Sequence, residues 1–276
     1  MAALDLTMLC VHAHPDDEAL FTAGVQAHYA AQGVRQVLIT CTEGNLGFDP
    51  LGRGPLEKDH DSSATVAARR AELEASCALL GIDRLVQLGY HDSGMDGWQQ
   101  NAFPAAFINQ DTGEIAARIV EVIEKERPQV VVTYADDGFY GHPDHIKTHL
   151  ATMAAVEECS GIVQRVYFVA MAKSTVAGFI ELARASGMLL PEWLEGDLIF
   201  GSDDELVQTS VDCSDVVGAK HRALAAHASQ VDNADLVGMD DELFDAVFSV
   251  ETFVRGLDRT GSQLPENDLF VGITGR

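Results

Sequence analysis

The sequence predicts an α/β fold, a Rossmann-like and mostly parallel sheet flanked by helices, with a C-terminal extension forming part of a pocket. Three observations predict it. Apolar, β-branched-rich runs at residues 6–11 and 130–133 read as strands buried on both faces. A helix pattern over 18–31, ended by Gly33, joins the first run to a second strand at 34–41, the order a βαβ unit requires. The two runs are each followed by a histidine and carboxylate cluster, His14-Pro15-Asp16-Asp17-Glu18 and His142-Pro143-Asp144-His145. Open α/β sheets place their chemistry at the carboxyl ends of strands, so the two clusters are expected to meet.

Residues 44–63 mix glycine, proline and charge and read as a long loop of the kind that carries binding residues. Gly44, Gly47, Gly52 and Gly54 do not form a dinucleotide fingerprint after the first strand, which argues against a nicotinamide cofactor. An amphipathic helix over 64–80 ends at Gly81, and a short strand at 85–88 leads into the polar turn 89–95. After a loop at 96–110, a helix is expected over 114–126, with Pro128 marking its end. Pro143 suits the first turn of a helix over 143–159. Beyond it the pattern weakens to strands at 163–170 and 206–211, a helix at 214–229, and acidic, loop-rich stretches at 192–205 and 232–242. The length suits a single domain over 1–276, with 1–160 as a metal-binding core and 161–276 completing the substrate pocket.

With 43 acidic against 18 basic residues, the formal charge of -25 repels phosphate backbones and anionic lipid, which disfavours nucleic acid and membrane as partners. No apolar run reaches membrane-spanning length and no signal-peptide pattern opens the chain, so a cytoplasmic protein is expected. Cys10, Cys41, Cys77, Cys159 and Cys213 are odd in number and scattered, and reduced core thiols are expected of them. Homo-oligomerisation is left open.

Two imidazoles, one carboxylate and water form a standard zinc set, and His14, Asp17 and His145 supply it. Nitrogen and oxygen donors also accept iron, cobalt or manganese. Asp16, pointing elsewhere, is the candidate base for water activated by the metal, a combination suited to hydrolysing an amide or ester. His142 and Tyr140 are candidate donors to the developing oxyanion. Pairing of His142 with Asp144 or another acid is expected to raise its pKa and favour the imidazolium.

These motifs, together with Arg69-x-x-Glu72, Asp92-Ser93-Gly94 and Ala226-His227-Ala228-Ser229-Gln230, resemble those of the PIG-L/LmbE family of zinc-dependent N-acetylglucosamine deacetylases. The resemblance implies Zn2+ on His14, Asp17 and His145, Asp16 as general base, and His142, oriented by Asp144, assisting the oxyanion and leaving group. It further implies a mobile Tyr140 at the oxyanion site, substrate contacts from Arg69 and Asp92, and a pocket position for His227. The chain departs from thiol-pathway members near Asn45, where those members tend to have an acid. A small-molecule amino-sugar substrate and loss of its N-acetyl group are implied by the resemblance. An amidase for a larger thiol conjugate or acylated secondary metabolite is the second reading, and a non-catalytic metal-bearing binding protein the third.

Plainer roles compete. Helix N-capping alone is the plainer account of Asp16 or Asp17, and an ordinary turn that of Asp92. Arg69 has nearby acids with which to form a salt bridge. His149 reads as a structural or pocket-wall histidine, and His227 as packing in an alanine-rich helix. Met95, Trp98 and Trp193 read as core or loop anchors.

Overall fold

The computed structural model describes residues 5–186 and 201–273. Trp193 and most of the acidic stretch 192–205 lie outside the described residues. Seven strands form one sheet: β1 Thr7–His12, β2 Arg35–Thr42, β3 Arg84–Tyr90, β4 Val130–Thr133, β5 Arg165–Ala170, β6 Thr209–Asp212 and β7 Val250–Asp258. Their spatial order is β3-β2-β1-β4-β5-β7-β6. The first five run parallel, with Leu9 opposite Val37 on one side and Val131 on the other, while β7 pairs antiparallel to both β5 and β6. The chain therefore grows in both directions from β1 and β4, and the gap between their exits is the switch point where a crevice opens.

Strand β1 shows why the apolar run folds so. Met8 and Cys10 enter a core on one face, Leu9 and Val11 a second core on the other, and all four are essentially inaccessible. Period-two alternation between two covered faces demands a run with no polar residue. Helices α1 Ala23–Ala31 and α2 Ser62–Leu80 supply side chains to the first core, α3 Thr112–Glu126 and α5 Pro143–Glu158 to the second. Asp61 and Asp111 cap α2 and α3 by accepting from the N–H groups of Ala64 and Glu114. Gly81 ends α2 at φ 71°, as its position predicts.

The region after α5 extends the same sheet. Helix α6 Lys173–Ser186, strand β7 and helix α9 Asp241–Phe248 are elements the sequence pattern leaves unassigned, whereas α7 Val217–Ala226 is shorter than expected. A short turn, α8 Ala234–Val237, precedes α9. Glu251 of β7 reaches back to accept from Gly24 and Val25 at the start of α1, with Lys220 of α7 2.7 Å away as its counter-charge. A Cβ at Gly24 would lie 2.9 Å from the Glu251 carboxyl carbon, so glycine permits this close approach. All five cysteines are free and buried. Among the described residues no helix is long and apolar enough to cross a membrane.

Candidate metal centre

The exits of β1 and β4 bring His14, Asp17 and His145 together. His14 Nδ1 lies 3.3 Å from His145 Nε2 and 3.4 Å from Asp17 Oδ2, and His145 Nε2 is 3.5 Å from Asp17 Oδ1. A tetrahedral ion bound at about 2.1 Å separates its donors by about 3.4 Å, the spacing of the two imidazole nitrogens, and Asp17 meets them through different oxygens, Oδ2 toward His14 and Oδ1 toward His145. The far side of each ring is already committed. His14 Nε2 faces Asp144 Oδ2 at 3.2 Å, and His145 Nδ1 faces the Gly138 carbonyl at 3.1 Å. Each contact places the ring proton on the outer nitrogen and leaves the inner lone pair for a cation.

Asp17 is fixed by the His14 N–H and by the Tyr134 hydroxyl, both donating to Oδ2 at 2.7 Å. Tyr134, directly after β4, also accepts from the Ala13 N–H at 2.9 Å and stacks on His145 with centroids 4.0 Å apart. His149 lies 2.9 Å through Nδ1 from the Tyr134 carbonyl, a structural role. Sequence reasoning misses Tyr134 because it stands outside both motifs, and its position one residue past a strand end is the available signal.

Asp16 sits at φ 115°, a left-handed conformation rare for a residue with a side chain. Its carboxylate Oδ1 meets Arg69 at 3.0 Å. Burial pushes the Asp16 carboxyl up to about 6, with the Arg69 charge opposing. A carboxylate in that range is matched to taking up and returning a proton near neutrality.

His142 is the N-cap of α5, its Nδ1 accepting from the Asp144 N–H at 3.1 Å. Nε2 therefore carries the proton and is the donor. Two expectations are corrected here. The Asp144 carboxylate faces His14 and the Ser93 N–H, the latter at 2.9 Å, so Asp144 orients a metal-site histidine while only its backbone touches the His142 ring. Burial pushes the His142 pKa well down, opposite to the rise expected from pairing with an acid. Donor atoms of His14, His142 and His145 lie within 4.8 Å of one another, which puts His142 at the edge of the same centre. Tyr140 belongs to the turn α4 Gly138–Gly141, its ring 5.0 Å from His145 and 6.0 Å from His142. Phe139 beside it has φ 71°.

The three residues expected to touch substrate are placed differently from one another. Asp92 is buried at the β3 exit, with Oδ1 accepting from Gly94 and 3.7 Å from His14 Nε2. Asn45, at the departure from the thiol-pathway pattern, accepts from the Asp92 N–H at 2.9 Å. Arg69 does not reach outward: it is buried, donating to the carbonyls of Gly44 and Pro15 and pairing with Asp16. His227 is also buried, with its Nε2 2.6 Å from Glu18.

The PIG-L family, described as GlcNAc-PI de-N-acetylase, matches residues 9–156, a span that holds both histidine clusters. The chain belongs to the PIG-L family. A relative from Acidothermus cellulolyticus, named 1D-myo-inositol 2-acetamido-2-deoxy-alpha-D-glucopyranoside deacetylase, is 37% identical over 97% of this chain and 95% of its own. Among solved structures, the N,N'-diacetylchitobiose deacetylase from Pyrococcus horikoshii superposes with a TM-score of 0.58 at 18% identity, covering 97% of this PIG-L chain and 86% of the other. The 4-carboxy-2-hydroxymuconate hydratase from Pseudomonas putida KT2440 superposes equally well, at 0.58 with 17% identity over 94% and 99% of the two chains. The fold alone therefore does not distinguish a deacetylase from a hydratase, and the site residues must carry the distinction.

Proposed function

We propose that the chain is a metal-dependent N-deacetylase that hydrolyses the acetamide of an N-acetylglucosamine-containing small molecule, releasing acetate and a free amine. The observation that carries this reading is the three-donor set of His14, Asp17 and His145 beside a separate carboxylate, Asp16, paired with Arg69. A binding protein needs the first and has no use for the second.

His14, Asp17 and His145 would hold the ion, with Zn2+ the first candidate. Bound there, it supplies a Lewis acid that polarises the acetamide carbonyl and makes water more acidic. Asp16 takes the proton of the attacking water and returns it to the departing amine nitrogen. His142 donates its Nε2 proton in a hydrogen bond to the oxygen that gains charge, and its cap contact to Asp144 holds that donor in the correct tautomer. The Tyr140 hydroxyl is the candidate second donor to that oxygen. Asp92, at the β3 exit, is the candidate contact for the sugar. Arg69 acts on Asp16 and on the loop that begins at Gly44.

The first substrate class is a pyranoside of the type named for the Acidothermus relative. A cytoplasmic setting belongs to the proposal, since five buried reduced thiols suit a reducing compartment. The test is amine release from N-acetylglucosaminyl inositols, other N-acetylglucosamine glycosides and thiol conjugates, by metal-replete and by chelated protein. Metal-dependent release from the glycosides is expected. Release confined to larger acyl conjugates would make the protein an amidase, and silence across the panel with metal retained would sink the hydrolase reading.

A further inference from the structure

Behind Asp16 stands a buried cluster for which the reaction above has no use. Glu18 is fully buried in the first turn after the His14 cluster. Its Oε2 accepts from the Asp16 N–H at 3.0 Å, and its Oε1 meets His227 Nε2 and the Ser76 hydroxyl, each at 2.6 Å. Three segments thus converge on one carboxylate: the β1 exit, helix α2 through Ser76, and the end of α7 through His227.

His227 is itself held. Two residues on, Ser229 donates its N–H and hydroxyl to the two oxygens of Glu72, at 2.8 and 2.7 Å, fastening the end of α7 to α2. One turn before Glu72 on α2 is Arg69, which pairs with the Asp16 carboxylate. Asp16 is therefore gripped twice from the same helix, directly at its side chain by Arg69 and indirectly at its backbone through Glu18.

The grip matters because Asp16 is left-handed at φ 115°. A residue with a side chain keeps such a conformation only where its surroundings over-determine it. A buried carboxylate in turn keeps its place only if its oxygens are matched by donors and a counter-charge. We infer that Glu18 and His227 are positioning residues for the reaction, a buried pair that fixes the backbone of Asp16 and with it the placement of the carboxylate held by Arg69. The C-terminal region thereby acts on turnover from outside the span matched by the family. This inference rests on the reading of Asp16 as base.

It differs in outcome from the pocket position that the resemblance implies for His227. A sugar-binding histidine acts mainly on KM; a positioning one acts on kcat and only when Asp16 is present. The experiment compares His227→Leu, His227→Gln, Ser76→Ala, Asp16→Asn and the His227→Leu/Asp16→Asn double variant for kcat, KM, metal content and melting temperature. With 1D-myo-inositol 2-acetamido-2-deoxy-alpha-D-glucopyranoside as probe, His227→Leu should lower kcat by about ten-fold or more, since small misplacements of a reacting group are costly, with KM and metal content near wild type. His227→Gln, whose amide can still donate to Glu18, should recover most of the loss. Ser76→Ala, a milder change that keeps the ion pair, should lower kcat by about two- to five-fold if one donor of the cluster is lost.

In the Asp16→Asn background, His227→Leu should change kcat by less than about two-fold, because coupled residues are non-additive. An undiminished penalty in that background would overturn the inference, as would a rise in KM at constant kcat. Wild-type kcat in both His227→Leu and Ser76→Ala, beside an inactive Asp16→Asn, would overturn this inference alone. A fully active Asp16→Asn would overturn the base assignment and the inference with it.

Discussion

The tripeptide His-Pro-Asp occurs twice, as His14-Pro15-Asp16 and His142-Pro143-Asp144, and the two copies are used in opposite ways. In the first, the histidine faces the metal set and the aspartate, at φ 115°, pairs with Arg69. In the second, the histidine caps α5 and presents a proton, while the aspartate turns back to orient the first copy's histidine. The backbone downstream of each copy makes the difference. After the second copy, Pro143 enters a regular helix, whose free N–H groups recruit His142 as cap. After the first, Asp17 and Glu18 are drawn to Tyr134 and His227, and the chain passes through a π-helical turn, Glu18–Thr22, before α1 begins. Identical residues thus acquire different chemistry from the backbone their neighbours impose.

The largest effects are expected from removing one proposed metal donor and, separately, the proposed base of the first copy. His145→Ala should abolish metal binding, read by metal analysis of purified protein, and reduce amine release to background. Asp16→Asn should keep its metal and still lose about 10²-fold or more in kcat, the usual loss of a positioned base. Metal retained in His145→Ala would move the centre elsewhere.

His142 carries two roles at one position, and they can be separated. His142→Asn keeps a good cap residue for α5, so its melting temperature should stay near wild type while kcat falls by about 10²-fold. His142→Ala should show the same kinetic loss with about 1 kcal/mol of additional destabilisation from the missing cap. Wild-type turnover in His142→Asn would reduce this second histidine to a helix cap.

Asp144 tests the link between the two copies. Asp144→Ala removes the partner of His14 Nε2 and should weaken metal affinity by about 10- to 100-fold, the usual cost of losing such an outer contact. Chelator competition measures it. Were Asp144 instead the orienter of His142, kcat would fall at saturating metal with affinity unchanged.

Much of this is legible in the sequence, and the rest is hidden for stateable reasons. Strands β1, β2 and β4 announce themselves because burial on both faces favours continuous runs of apolar and β-branched residues. Strand β7 does not: only Glu251 and Phe253 are buried along it, Gly256 lies under the Phe168 ring, and charged residues punctuate it. The meeting of His14, Asp17 and His145 is legible because their clusters follow strands whose exits converge. Arg69 and His227 are given outward roles by the sequence because a motif carries identity without direction. Their partners, the half-buried Asp16 and the buried Glu18, are one residue either side of Asp17, so only the three-dimensional arrangement separates support from contact with substrate.

Tyr134 supplies the mildest and most discriminating change. Its hydroxyl gives a proton to Asp17, accepts one from Ala13 and meets His12 Nδ1 at 3.1 Å, so Tyr134→Phe leaves the ring stacked on His145 while removing all three contacts. The orphaned Ala13 N–H should cost about 1–3 kcal/mol of stability, measured by denaturant unfolding of metal-free protein. Metal affinity should fall as well, by less than in Asp144→Ala, because Asp17 keeps the His14 N–H as a second donor. The order of the two affinity losses decides between the outer contacts. If Tyr134→Phe costs more, the first His-Pro-Asp copy is held chiefly by the tyrosine after β4; the geometry instead predicts that the second copy, through Asp144, holds it harder.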